Sequence, residues 1–354
     1  MAHSTTETAD VVVVGAGLAG LICSQYLQRQ GFRTIVLDKS RGVGGRLATR
    51  RIGAVSVDHG LPYWERQGPQ TAALAQRLSG SVMTPAKGQV IGGDASLIPA
   101  ANPASKRPAT NRRQQDGTQD ADPRVVPKGM TAIAKALASD LTLHRQHRLT
   151  GLEPDADGWR LVVETPDGMR TFSAAAVVLA IPAPQISPLL QPLNATSAIA
   201  ALSAVAFDPC FSVMVGYAAP PVESLPLGLR SPAADLRWVG FEAAKRPLPL
   251  SAVVLQSSAE FAKRALDWPL EDVATHLLAA AAALPQVAAL GEPQWQQVHR
   301  WRYALCRRPY PQAYLPVPPR PLVCCGDWCG GHTPEAALNS GEAAAKAIAA
   351  AINR

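Results

Sequence analysis

Four consecutive valines, Val11 to Val14, open the patterned part of the chain, and a β-branched run of this kind predicts a strand buried on both faces. Leu18, Leu21, Ile22 and Leu27 then fall near a helical period, with Gly31 where that helix would stop. Thr34-Ile35-Val36-Leu37 predicts a second buried strand. Beyond it the pattern predicts a short helix over 71–78, mixed strand and turn over 81–98, and a helix carrying Ile133, Leu137 and Leu141. Residues 151–172 alternate around the turn signals Asp157-Gly158 and Asp167-Gly168, which predicts a β-meander. Residues 174–181 form another buried run, stopped by Pro182-Ala183-Pro184.

From 185 to about 320, helical patterns (196–205, 258–266, 271–284) are mixed with strand patterns (211–217, 238–241, 253–256, 298–304). That mixture predicts an α+β substrate domain inserted into an α/β domain. Leu322-Val323-Cys324-Cys325 is the last buried strand, and Thr333 as N-cap, Pro334 at the first helical position and Glu335 in the first turn start a helix running to Ile352. The expected division is 1–60, 127–184 and 320–354 for the first domain, and 61–126 and 185–319 for the second. Residues 99–123 carry too few apolar side chains to order themselves, and predict a mobile loop.

Composition changes this picture little. A chain of 354 residues, 47% hydrophobic, suits two packed globular domains. The net charge of +7 suggests an anionic partner, but no aromatic and basic stripe of a nucleic-acid surface accompanies it. The first ten residues show neither a basic n-region nor an apolar h-region, and the longest apolar runs, 174–181 and 277–284, are too short to span a bilayer. Cys23, Cys210, Cys306, Cys324, Cys325 and Cys329 form no extracellular disulfide framework, and adjacent Cys324 and Cys325 would point to opposite faces of a strand, which argues against a metal site. A cytoplasmic protein without metal is expected.

The chemistry concentrates in the first 60 residues. Gly15-Ala16-Gly17-Leu18-Ala19-Gly20 joins the first strand to the first helix. Gly15 permits the tight turn, Gly17 allows backbone to approach a pyrophosphate, and Gly20 lets helix and strand pack closely. Free N–H groups and the positive end of the helix dipole then favour phosphate. Asp38 follows Gly20 by 18 residues, where a carboxylate accepts from an adenosine ribose. A second glycine-rich turn, Asp38-Lys39-Ser40-Arg41-Gly42-Val43-Gly44-Gly45-Arg46, adds basic side chains, and Val57-Asp58-His59-Gly60 follows. Tyr63 and Trp64 come next as substrate-facing or core aromatics. Alternation in the 298–304 strand sets His299, Trp301 and Tyr303 on one face and Arg300 and Arg302 on the other.

This long pattern resembles flavoproteins of the glutathione-reductase-like superfamily, in the branch that holds amine oxidases, desaturases and renalases. With Lys128-Gly129-Met130, Ile181-Pro182-Ala183-Pro184-Gln185, His299-Arg300-Trp301-Arg302-Tyr303-Ala304 and Gly326-Asp327-Trp328-Cys329, it is most similar to the renalase family. The resemblance implies a Rossmann-type FAD-binding domain with an inserted substrate domain, an architecture shared with p-hydroxybenzoate hydroxylase and the amine oxidases. It implies non-covalent FAD lined by the first glycine turn, by Lys39, Arg41, Gly44, Gly45 and Arg46, and by Asp58, His59 and Gly60. A strand pair over 141–149, with Arg148 and Leu149, would close on the adenine; Ala180, Gly326 and Asp327 would complete the site. The N–H groups of Glu335, Ala336 and Ala337 would face the flavin. The activity implied is oxidation of an isomeric dihydronicotinamide dinucleotide with oxygen as acceptor, lined by His299, Trp301, Tyr303 and Tyr63. A flavin amine oxidase or a desaturase-like enzyme is the alternative, although Ala336, Ala337 and Leu338 supply no aromatic partner where amine oxidases commonly place one. A flavin-binding protein without turnover is a further alternative.

Overall fold

The computed structural model describes residues 6–92, 123–222 and 225–353; the loop expected over 99–123 lies, but for Pro123, outside them. The chain divides into two compact units, Met1–Ala48 with Met130–Phe207 and Arg308–Arg354, and Thr49–Gly129 with Asp208–Arg307.

In the first unit a parallel sheet runs in the order Leu322–Cys324, Gly168–Leu179, Glu7–Val14, Thr34–Asp38, Thr142–Arg145, with Leu315–Pro316 antiparallel at one edge. The valine run lies at its centre because both its faces and both its edges are covered: Val11 pairs Thr34 on one side and Ala176 on the other. Strand order reverses between Glu7–Val14 and Gly168–Leu179, so their carboxyl ends open a switch-point crevice, where Gly15 and Ala180 sit. Helices Leu18–Arg29 and Pro334–Ile352 pack so closely that a Cβ on Gly341 would stand 2.3 Å from the Ala19 carbonyl oxygen.

Two expectations are corrected here. The meander's third strand and the buried run at 174–181 are one strand, Gly168–Leu179, antiparallel to Gly158–Thr165 and then parallel to Glu7–Val14. No breaker separates Phe172 from Ala174, so the strand changes partner without ending. Residues 141–149 form no strand pair. Thr142–Arg145 pairs with Thr34–Asp38, whereas Arg148–Asp155 pairs with Gly158–Thr165.

The second unit is built on a sheet ordered Pro293–Arg308, Ala206–Tyr217, Ser251–Ser257, Leu236–Phe241, Gly228–Ala233, Val90–Ile91. One face is covered by Ala259–Arg264 and by Leu270–Ala282, whose Val273, Leu277 and Ala281 repeat at helical spacing into the core of Phe211, Val253 and Phe261. A hairpin of Thr49–Ile52 and Val55–Asp58 belongs to this unit because Val55 and Val57 pack on Met214, Ala252 and Val254. Residues 49–60, expected in the first unit, are therefore in the second, while helices Ala183–Leu190 and Thr196–Ala204 lie in the first. Among the described residues no helix is long and apolar enough to cross a membrane.

Candidate functional site

The glycine turns of the first unit form a continuous cradle. Gly15 takes φ +110°, and a Cβ there would meet the Ala180 carbonyl oxygen at 2.5 Å; one on Gly20 would meet the Gly15 carbonyl oxygen at 2.0 Å. Those two glycines are needed by packing. Gly17 differs, since a Cβ there would find nothing within 4 Å. It is the N-cap of Leu18–Arg29, no side chain caps that helix, and no acidic residue stands in its first turn. The second turn docks on the first: Gly44 N–H donates to the Ala16 carbonyl at 2.8 Å, and a Cβ on Gly45 would lie 3.6 Å from Gly17 Cα. An uncapped helix N-terminus facing open space, with no acidic residue in its own first turn, fits a dinucleotide pyrophosphate.

Asp38 holds the turns together. Its Oδ2 accepts from Ala16 N–H and its Oδ1 from Ser40 N–H, each at 2.7 Å, and each oxygen keeps further lone-pair capacity. Lys39 Nζ reaches Gln185 Oε1 at 3.2 Å, and the Arg41 carbonyl accepts from Arg145. Arg46 pairs with Asp327 at 2.7 Å, joining the second turn to the loop after the last strand. Arg148 extends outward toward Glu164 at 3.7 Å, and Leu149 is buried.

At the C-terminal helix, the expectation for Ala336 and Ala337 is corrected. Thr333 Oγ1 accepts from Ala336 N–H at 3.2 Å and the Thr333 carbonyl accepts from Ala337 N–H at 3.0 Å, so the cap uses both groups. Cys329 is buried, and desolvation raises its thiol pKa; burial likewise pushes Cys325 to about 12. Neutral buried thiols are poor nucleophiles.

In the second unit, Asp58 is no ligand-facing group. It lies in a fully buried ion cluster, bound to Arg246, 3.6 Å from Lys245 Nζ and accepting from Thr49 Oγ1 at 2.6 Å. Glu242 closes the cluster at 2.5 Å from Lys245 Nζ and 3.4 Å from Arg246, and accepts from the Asp58 N–H at 3.1 Å. Two acids and two bases cancel, and both carboxylates are consumed. Sequence reasoning missed Glu242, Lys245 and Arg246. Their spacing is also that of an ordinary exposed helical pair, and only the packing of Glu242–Ala244 against the hairpin buries them.

The segment fixed by this cluster presents His59. Its carbonyl accepts from Ser212 Oγ at 2.7 Å and from Trp301 Nε1 at 3.0 Å, while the Gly60 carbonyl accepts from Gln256 at 2.6 Å. The His59 ring stacks on Trp301 with centroids 5.4 Å apart and meets His299 edge-on at 5.1 Å; His299 and Trp301 are 4.2 Å apart. His59 Nδ1 is buried, with no hydrogen-bond partner among the described residues. Desolvation, aided by His299 and the Arg50 charge, lowers the His59 pKa to about 3, and burial also lowers that of His299. Both rings are neutral near pH 7. Tyr303 continues the strand, half-buried.

A pH dependence follows. Below about 6.5 the unfolded His59 binds a proton that the native ring refuses until about pH 3. The unfolded state thus binds more protons in that window, and native stability falls as pH falls through it. His59→Gln should flatten the urea midpoint between pH 6.5 and 4; an unchanged slope would show that other groups carry it.

Tyr63 and Trp64, expected to face substrate, are core residues. Tyr63 packs with Trp238, Val125 and Leu227, and Trp64 is buried with its indole N–H on the Thr71 carbonyl at 3.1 Å.

The profile of the flavin containing amine oxidoreductase family matches residues 91–349, and that of an NAD(P)-binding Rossmann-like domain matches 13–78. Lysine-specific histone demethylase 1 homolog 1 of Arabidopsis thaliana is 37% identical over 86 residues, which are 24% of this chain and 8% of that protein. The chain thus aligns with a small part of that relative's length. Putrescine oxidase, wild type bound to putrescine, superposes with a TM-score of 0.69 at 15% identity, covering 98% of this chain and 100% of that one. Cyclohexylamine oxidase from Brevibacterium oxydans IH-35A does so with 0.69 at 14% identity, covering 98% and 100%. At such identities these likenesses show the fold. With the family profile covering most of its length, this chain belongs to the flavin containing amine oxidoreductase family, in the flavin-dependent oxidoreductase class that its glycine turns and their resemblance imply.

Proposed function

We propose that this chain is a renalase-like FAD-dependent oxidase that takes a hydride from an isomeric dihydronicotinamide dinucleotide and passes the electrons to oxygen. The first unit holds FAD non-covalently through the Gly15–Gly20 and Gly44–Arg46 turns. Bound there, the flavin supplies a two-electron acceptor. The His59–His299–Trp301 cluster contacts the substrate ring.

The observation that carries the reading is the charge of that cluster. Asp58 and Glu242 are paired with Lys245 and Arg246, both imidazoles are neutral, and among the described residues the charge acting on both rings is that of Arg50. Such surroundings suit an anionic dinucleotide better than an ammonium ion. A dihydronicotinamide gives up a hydride without losing any N–H or O–H proton, so rings of such low basicity are no handicap. In the overall balance the donor loses two electrons and oxygen gains them with two protons, forming hydrogen peroxide.

An amine substrate is the second reading, favoured by the family and by the fold shared with putrescine oxidase and cyclohexylamine oxidase. Anaerobic mixing with isomeric NAD(P)H, putrescine and cyclohexylamine, followed by flavin bleaching, separates the two. Bleaching by the amines and not by the dihydronicotinamides overturns the first reading. Trp301→Ala should slow bleaching about tenfold, or ~1.4 kcal/mol, with FAD content unchanged. FAD lost in proportion to activity would make Trp301 structural.

A further inference from the structure

The hairpin Thr49–Ile52 and Val55–Asp58 and the long strand Pro293–Arg308 belong to the same unit, and three contacts fix how their side chains match. Ile52 and Trp295 pack on the same buried cluster of Val57, Met214 and Val254. Two residues back along the hairpin and two on along the strand, Arg50 Nη1 donates to Gln297 Oε1 at 3.4 Å. Just past the hairpin's end, His59 meets His299 and Trp301. Residues 295, 297, 299 and 301 share one face of the strand by alternation. That face runs from an apolar end at Trp295, through the Arg50 guanidinium at Gln297, to the neutral ring cluster.

Arg50 has bonding capacity to spare. A guanidinium carries five N–H donors. The contact with Gln297 is the one hydrogen bond of the Arg50 side chain among the described residues, and no carboxylate there pairs with it. Arg50 is half-buried and Gln297 exposed, so both are open to a ligand. The Arg50 charge is felt by His59 and by His299, whose pKa values it lowers further after desolvation. Arg300, on the other face of the strand, is already engaged: it donates to the Trp268 carbonyl at 2.9 Å and lies over the Phe211 ring.

Alternate side chains on a strand stand about 7 Å apart. A ring seated at His299 therefore has the Arg50–Gln297 pair one such step away, and in a nicotinamide nucleotide one ribose separates ring from phosphate. An arginine fork matches two phosphate oxygens and repels an ammonium ion. We propose that Arg50, seconded by Gln297, holds the phosphate of the substrate's nicotinamide nucleotide half and so selects phosphate-bearing donors. This role for Arg50 rests on the reading above, but its test needs no hydride transfer.

The test uses the FAD-loaded protein at low salt. Oxidised nicotinamide mononucleotide, which has the phosphate, and nicotinamide riboside, which lacks it, are titrated separately, and the heat of binding is read. The wild type should bind the mononucleotide at least about tenfold more tightly than the riboside, with the ratio shrinking as salt screens the contact. Arg50→Gln should bring that ratio close to one, and Arg50→Lys should keep part of it, since the charge stays and the fork is lost. A wild type without the preference overturns the assignment. So does a preference that survives in Arg50→Gln, or a loss of FAD from that variant, which would give Arg50 to the cofactor. Isomeric NAD(P)H that leaves the flavin oxidised while the Arg50-dependent preference persists would sink the hydride-donor reading alone. Bleaching by isomeric NAD(P)H with the preference intact in Arg50→Gln would sink the role of Arg50 alone.

Discussion

Arg246→Met should destabilise the second unit by about 3–5 kcal/mol, the usual result of removing one partner from a buried ion cluster. Asp58, Glu242, Lys245 and Arg246 are all fully buried and sum to zero charge. Without Arg246, Asp58 loses its direct cation, Lys245 must serve two carboxylates, and one negative charge stays uncompensated away from water. A urea titration followed by tryptophan fluorescence reads this directly. The double variant Asp58→Asn, Arg246→Met should recover part of the loss, because neutrality returns; their coupling is the measure of the pair. A loss below about 1 kcal/mol in the single variant would mean that water reaches the cluster and screens it. The effect should extend to His59, since Asp58 is its chain neighbour and both sides of that peptide are fixed: the Asp58 N–H by Glu242, the His59 carbonyl by Ser212 and Trp301.

Gly17→Val should leave the chain folded but nearly free of FAD. The space beside Gly17 is open to a Cβ, so the fold tolerates the side chain, yet it would fill the cradle at the uncapped helix N-terminus. Loss of those phosphate contacts should reduce copurifying flavin to roughly a tenth or less, ~1.4 kcal/mol or more of binding free energy. Gly20→Val is the contrast. Its Cβ would stand 2.0 Å from the Gly15 carbonyl oxygen, so helix and strand must separate and the protein should fail to fold. A folded Gly17→Val protein with full FAD content would remove the first glycine turn from the cofactor site. The different fates expected of two glycines in one motif separate binding from packing, which FAD content alone would not.

The hydrophobic pattern by itself determined the opening strand, turn, helix and second strand of the first unit. Val11–Val14, the glycine spacing and Asp38 are local features, and local features give strand, turn and helix without help from distant residues. The meander turns at Gly158 and Gly168 and the Thr333 cap were legible for the same reason. So was the shared face of His299 and Trp301, because alternation in a strand is a property of the backbone.

Tertiary structure decided everything that depends on which surfaces meet. Whether Tyr63 faces substrate or core depends on Trp238 and Leu227, far along the chain. The 49–60 segment reads as an extension of the glycine turns, yet Val55 and Val57 bury against Met214 and Val254 and carry it into the second unit. His59 joins His299 and Trp301 across 240 residues or more of sequence, and no periodicity links them. The physical reason is the same in each case: chain geometry sets where a side chain points along its own element, whereas burial, pairing and charge are set by the partner that the fold brings opposite.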